Sequence, residues 1–302
     1  VFSFLGFITR FGLPGVVVGA SSIQQFFSPL APIKNLWWLI FGVSIGWGLL
    51  HIYAALESVA VFRAIGAYGL AIIAITIIVK TILWPLYHYQ IQATKRSLEQ
   101  SRKLAPEIAK IRKKHKGNPQ KIQEETLKLY KEYGVSPFSA MSGCLPAIAQ
   151  FPVLVALYYL LFGIAHSHNV LSVAGSTIHI KSARFLWIPN LNQSAAQHLL
   201  SASIPFIPVP AYIVIPILAA LTTYIQTKMM QQPLPPDATE QERQQQQMTQ
   251  SMQFMMPLII LYFAYIMPAG LGLYWVVSNL VTIGQQYFAT GWGGLRLARR
   301  ET

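Results

Sequence analysis

Charge and cysteine are scarce in this chain. Of 302 residues only 11% are charged and 53% are hydrophobic, whereas a soluble domain carries about 25% charged residues. The balance excludes an ordinary soluble domain and reads as a multi-spanning membrane protein. A single cysteine, Cys144, excludes an internal disulfide framework. No CxxC spacing or Cys/His cluster suggests zinc, and neither metal nor cofactor is expected. No GxxxxGK[ST] loop occurs, so nucleotide hydrolysis is not expected. No internal repeat is visible, which counts against an inverted-repeat transporter. The first residue is Val1, which leaves room for an initiator or targeting segment ahead of it.

What the chain has instead is long apolar runs. Ala67 to Tyr87 reads AYGLAIIAITIIVKTILWPLY, interrupted by one charge, Lys80. About 20 apolar residues at 1.5 Å rise cross a hydrocarbon core of about 30 Å, so this segment predicts a spanning helix. An ammonium at that depth costs roughly 2.5–3.5 kcal/mol on insertion scales, a cost usually met by a wet cavity or a partner. Further spans are predicted at Pro137–Ala165, Ala211–Met230, Met252–Met267 and Leu271–Phe288. The last two are joined by Pro268-Ala269-Gly270; as one helix their 37 residues would extend about 55 Å, too long for a single crossing. Leu36–Leu56 is long enough to cross but carries three tryptophans and His51, so an interfacial helix is an equal reading. Residues 1–35, broken by prolines and glycines, predict no span.

The formal charge of +13 is concentrated: 12 of the 23 Lys and Arg lie between Tyr87 and Ser136, against five Glu. In that segment Leu104, Ile108 and Ile111, then Ile122, Leu129, Tyr130 and Tyr133, recur at helical spacing on either side of Gly117-Asn118-Pro119. The pattern predicts a helical hairpin, with Glu124 placed to pair with Lys128. Its Lys95, Arg96, Arg102, Lys103, Lys110, Arg112, Lys113 and Lys114 form a basic face suited to anionic headgroups. No aromatic platform accompanies them, so sequence-specific nucleic-acid binding is not expected.

Gln231–Gln250 reads as a flexible loop, and residues 289–302 as a basic tail with Arg296, Arg299 and Arg300. Together the inner segments hold 17 Lys and Arg, counting Lys228, while the outer loop 166–210 holds two. The positive-inside rule then places the hairpin, the 231–250 loop and the C-terminus in the cytoplasm. Phe185-Leu186-Trp187 is expected at the outer interface.

The order GAYGLAIIAITIIVKTILWPL, the basic hairpin SRKLAPEIAKIRKKHKGNPQKIQEETLKLYKEYGVSP, SGCLPAIAQFPVLVALYYLL, FLWIPNL and MPAGLGLYWVVSNLVTIGQQYF closely resembles the YidC membrane-protein insertase family. Its relatives are the mitochondrial Oxa and chloroplast Albino insertases. The resemblance runs from about Ala67 to Phe288 and does not cover residues 1–35; no large outer domain of the kind many members carry is accommodated. It implies an all-α membrane protein with a five-helix transmembrane core around a polar groove open to the cytoplasm. It also implies a first core helix (67–87), a cytoplasmic hairpin (88–136) and four further core helices (137–288); residues 1–66 are read as an apolar or interfacial N-terminal segment, in which the resemblance favours an amphipathic helix over part of Leu36–Ile65.

The implied activity is insertion of short hydrophobic segments of nascent proteins, without bond chemistry, in a bacterial plasma membrane. The implied partners are nascent membrane proteins and lipid, with the Sec translocon and the ribosome meeting the hairpin and tail. A small-solute transporter or channel is the alternative. The family usually has arginine where this chain has Lys80, which keeps the charge but not the bidentate fork.

Candidate groove residues are Lys80; Thr76, one turn earlier on the same face; Gln150; Gln226; and Trp275 of the LYWVVSN motif. Thr76 has an equally good reading as a hydroxyl bonded back to the preceding turn. Asn279 is read as a tie between helices. Met248, Met252, Met255, Met256 and Met267 cluster on or before the fourth core span, where ordinary packing outweighs a deformable substrate surface.

Overall fold

The computed structural model describes residues 38–115, 118–134, 145–166, 170–173, 175–198, 203–204, 207–230 and 240–295. The chain divides into two units at Ile40/Phe41. The helices of the second unit are α1 (Ser44–Ser58), α2 (Ala60–Ile65), α3 (Ala67–Ile82), α4 (Trp84–Lys114), α5 (Pro119–Glu132), α6 (Leu145–His166), α7 (Ala195–His198), α8 (Val214–Met230), α9 (Glu240–Ile266) and α10 (Ala269–Thr290). Two short antiparallel hairpins, β1 (Val170–Val173) with β2 (Ser176–His179) and β3 (Ser203–Ile204) with β4 (Ile207–Pro210), lie between α6 and α8.

Trp38–Ser58 and Ala211–Met230 are each long and apolar enough to cross a membrane. Ala67–Ile82 and Trp84–Gln92 meet that test together but are bent by 50°. The expected single run Ala67–Tyr87 is therefore a broken one, and the break at Leu83 follows from Pro85, which lacks an N–H to continue the ladder. The expected loop 231–250 is shorter than composition suggested. Helix α9 starts at Glu240, because Gln, Glu and Arg are good helix formers even without an apolar face.

Helix α10 is central, packing on α3, α6, α8 and α9, while α1 lies on α3 and α6. Water supplies no driving force between helices in lipid, so close approach and interhelical hydrogen bonds must hold them. Gly272 of α10 provides one such approach, since a Cβ there would collide with Ile215 of α8. Asn279 provides the polar tie. Its Nδ2 donates to Thr222 Oγ1 at 3.0 Å and Thr223 Oγ1 at 2.8 Å, joining α10 to α8 as its sequence position suggested.

The segment between α6 and α8 is joined to the helix ends by backbone bonds. Leu186 N donates to Ile65 O at 2.9 Å, Gly270 N to Leu191 O at 2.8 Å and Ala269 N to Gln193 O at 2.9 Å. Tyr212 Oη donates to Gln193 Oε1 at 2.8 Å. Leu186 and Trp187 are exposed, but Phe185 is buried against Gly69 of α3. Phe185 is thus a packing residue rather than an interfacial one; glycine at position 69 leaves the space its ring fills.

The basic hairpin is α4 with α5. Leu104, Ile108, Leu129 and Tyr130 form its buried seam, with Ile111 beside them. Asn118 Oδ1 accepts from Lys121 N at 3.1 Å as N-cap of α5. Lys128 pairs with Glu124 at 2.9 Å and Glu125 at 3.1 Å, and the hydrogen bond from Lys128 holds the Glu124 carboxyl below the usual range. Tyr133 Oη donates to Glu107 Oε1 at 3.0 Å across the hairpin, which pushes the phenol up. Lys103, Lys110, Lys113 and Lys114 are exposed and Arg112 half-buried; the side chains of Lys95, Arg96 and Arg102 lie outside the described residues.

Candidate functional site

Lys80 is in the last turn of α3, before the bend. Its Nζ donates to Gln150 Oε1 of α6 at 2.8 Å and to Thr282 Oγ1 of α10 at 3.0 Å. Each acceptor is held in turn. Gln150 Nε2 donates to Tyr274 Oη, and Thr282 Oγ1 donates to Ser278 O at 2.8 Å. Among the described residues Lys80 has no ion pair. The ammonium therefore rests on neutral oxygens supplied by two other helices.

The bend itself is capped from α10. Gln285 Nε2 donates to the backbone carbonyl of Lys80 at 3.0 Å, and one turn into α4 Tyr87 Oη donates to Gln286 Oε1 at 2.7 Å. Lys80, Leu83, Leu86, Tyr87, Gln90, Gln150 and Gln285 line a cavity of about 30 Å³, enough for a water, which needs about 10–15 Å³. Gln285→Leu is expected to leave the Lys80 carbonyl without this donor, at about 1–3 kcal/mol for a buried acceptor. A lowered unfolding temperature in detergent checks this, with Gln285→Glu also impaired because a carboxylate cannot donate.

Of the residues singled out from the sequence, Lys80 and Gln150 are in direct contact. Thr76 is buried and its Oγ1 donates to Ile72 O at 2.6 Å, the back-bonded reading. Trp275 packs against the cluster of Ala219, Ile260, Ala264 and Val276 between α8, α9 and α10. Gln226 is half-buried on α8, and neither it nor Trp275 lines the Lys80 cavity. Tyr274, Thr282, Gln285 and Gln286 were not singled out. Their signal was present: Tyr274, Ser278, Thr282 and Gln285/Gln286 recur every turn of α10, a polar stripe in an apolar helix. Groups of three or more potential metal ligands are absent among the described residues.

Residues 60–292 match the family model described as 60Kd inner membrane protein. The chain is 34% identical over 263 residues to "Membrane protein insertase YidC" of Clostridium perfringens, covering 86% of this chain and 91% of that protein. It is 32% identical over 245 residues to "Inner membrane protein ALBINO3, chloroplastic" of Arabidopsis thaliana, covering 76% of this chain and 48% of that one. Against "Membrane protein insertase YidC" of Cupriavidus metallidurans it is 30% identical over 267 residues, 88% of this chain but only 38% of the relative. The chain thus spans well under half the length of that longer form. With the family model matched across most of its length, the chain belongs to the 60Kd inner membrane protein family, that of YidC and ALBINO3.

Proposed function

We propose that this protein is a membrane-protein insertase of a bacterial plasma membrane. In this reading it moves short hydrophobic segments of nascent proteins into the bilayer, and assists their folding there, without nucleotide hydrolysis. The observation that carries the reading is an ammonium within an apolar helix whose hydrogen-bond acceptors, among the described residues, are Gln150 and Thr282. A substrate's acidic flank must cross hydrocarbon, and each bare charge or peptide group costs several kcal/mol on the order given by transfer data. A polar path partway into the bilayer shortens that crossing.

The core is five spans: α3 with the start of α4, α6, α8, α9 and α10. Their polar groove opens to the cytoplasm, where the α4–α5 hairpin and the C-terminal tail also lie. A cavity of about 30 Å³ is too small for a peptide. Entry therefore includes displacement of Gln150 with α6, so that Lys80 exchanges the Gln150 oxygen for the carboxylate and keeps Thr282 while the apolar segment stays against lipid. Gln226, half-buried on α8, is proposed to extend the groove lining, while Thr76, bonded back to Ile72, and Trp275, packed in the apolar cluster, serve the helices that frame it. Release follows from partitioning of the apolar segment into lipid, since the salt link alone would hold the flank.

The basic hairpin, residues 88–136, is proposed to receive chains from the ribosome and to meet the Sec translocon. Deleting residues 95–131 is expected to lower insertion at least threefold in ribosome-coupled assays while the remaining chain still enters the membrane. Unchanged activity would remove the hairpin from the mechanism. The whole reading is tested by purified protein in liposomes offered a short single-spanning substrate. Protease protection of the substrate's flank is expected; solute flux without protection would favour a channel instead.

A further inference from the structure

A second cleft lies between α8 and α9, apart from the Lys80 cavity. Its walls are two matching stripes at helical spacing, Ile217, Leu221 and Tyr224 on one side and Phe254, Leu258 and Leu261 on the other. The cleft holds about 420 Å³, and its rims are open, with Leu221 50% and Leu258 65% exposed. Pro257 lies in its wall and interrupts the ladder of α9 there.

The end of the cleft differs from its walls. Lys228 follows Tyr224 by one turn on the same stripe, with its Nζ 5.7 Å from the Tyr224 ring centroid. The Tyr224 and Phe254 rings meet at 6.1 Å. The α9 stripe continues past Phe254 to Gln250, which is exposed. One cation, an amide and an apolar trough thus lie in line, and neither stripe carries a carboxylate.

We propose that this cleft is a binding site for one anionic phospholipid of the cytoplasmic leaflet, its acyl chain in the trough and its phosphate at Lys228. Size decides between lipid and polypeptide. One turn of helix about 10 Å across and 5.4 Å long displaces on the order of 400 Å³, so the cleft would seat a single turn, whereas a slender acyl chain runs its length. Charge decides between lipid classes, because a fixed ammonium near the membrane surface favours a net negative headgroup. The proposal rests on the reading that α8 and α9 span the membrane.

The test uses the full chain in nanodiscs of phosphatidylethanolamine containing a small fraction of diazirine-tailed phosphatidylglycerol or, separately, diazirine-tailed phosphatidylcholine. The expected result is at least threefold more label from phosphatidylglycerol on residues 217–224 and 254–261. Lys228→Gln should bring that ratio to about one while Lys228→Arg keeps it, both variants melting as the native chain does. Leu221→Trp, which fills the trough, should reduce label from both lipids. Equal labelling by the two lipids in the native chain overturns the site but leaves the spans standing. No label on α8 from either lipid overturns the site together with the membrane placement of α8. Replacement of lipid label by crosslinks from a stalled substrate segment assigns the cleft to polypeptide and also overturns the proposal.

Discussion

Lys80→Gln is expected to lower insertion of a substrate with an acidic flank about tenfold, and to leave a substrate with an uncharged flank within about twofold of normal. The substitution removes the charge but keeps a hydrogen-bonding group of similar reach toward Gln150 and Thr282. A carboxylate about 4 Å from the ammonium gains roughly 4 kcal/mol at an effective dielectric of about 20. Giving up the neutral Gln150 acceptor while keeping Thr282 offsets part of this, at about 1.5–3 kcal/mol for one hydrogen bond to a charged group. A remainder of about 1.4 kcal/mol corresponds to about tenfold in rate. Lys80→Arg should retain most activity on both substrates. Equal loss on both substrates with Lys80→Gln would show that the residue acts through structure rather than charge, and initial rates of protease protection in liposomes distinguish the two.

Gly66→Val is expected to be strongly destabilising, although position 66 makes no contact with the Lys80 cavity. Gly66 links α2 to α3 at φ +125°, a conformation that disfavours any side chain. A Cβ there would also drive into the carbonyl of Arg184 and the Cα of Phe185. Both obstacles are backbone, so neither can rotate away. Strain and displacement together cost on the order of 3 kcal/mol, a fall in unfolding temperature of at least about 5 °C for a chain of this size. The segment around Arg184, already exposed, should also loosen, giving faster tryptic cleavage there. Gly163→Ala is the control: a Cβ at this exposed helical position meets nothing, and the unfolding temperature should hold or rise slightly.

The basic hairpin was legible in sequence because its physics is local. Apolar residues at Leu104, Ile108, Leu129 and Tyr130 recur at the helical period, and Asn118-Pro119 supplies both a cap and a proline at the first helical position. Helix α9 was legible only from Met252 onward. Its first turns, from Glu240, are too polar to show a face, and helix propensity leaves no periodic signal. The β1–β2 hairpin was missed because four-residue strands such as Val170–Val173 offer too few alternations to separate from loop. Phe185 looked interfacial beside Leu186 and Trp187; only the space above Gly69 makes it a packing residue.

Sequence alone pointed to a helical membrane protein with a lysine inside an apolar run, because hydrocarbon thickness and the cost of an unsolvated charge act on composition and run length. It also determined the hairpin and the tie at Asn279. Tertiary structure decided which groups meet that cation. Thr282 lies 202 positions from Lys80 and Gln150 lies 70, and their meeting depends on how α6 and α10 are rotated about their axes. That rotation is set by close contacts such as Gly272 on Ile215, which no periodicity within a single helix encodes.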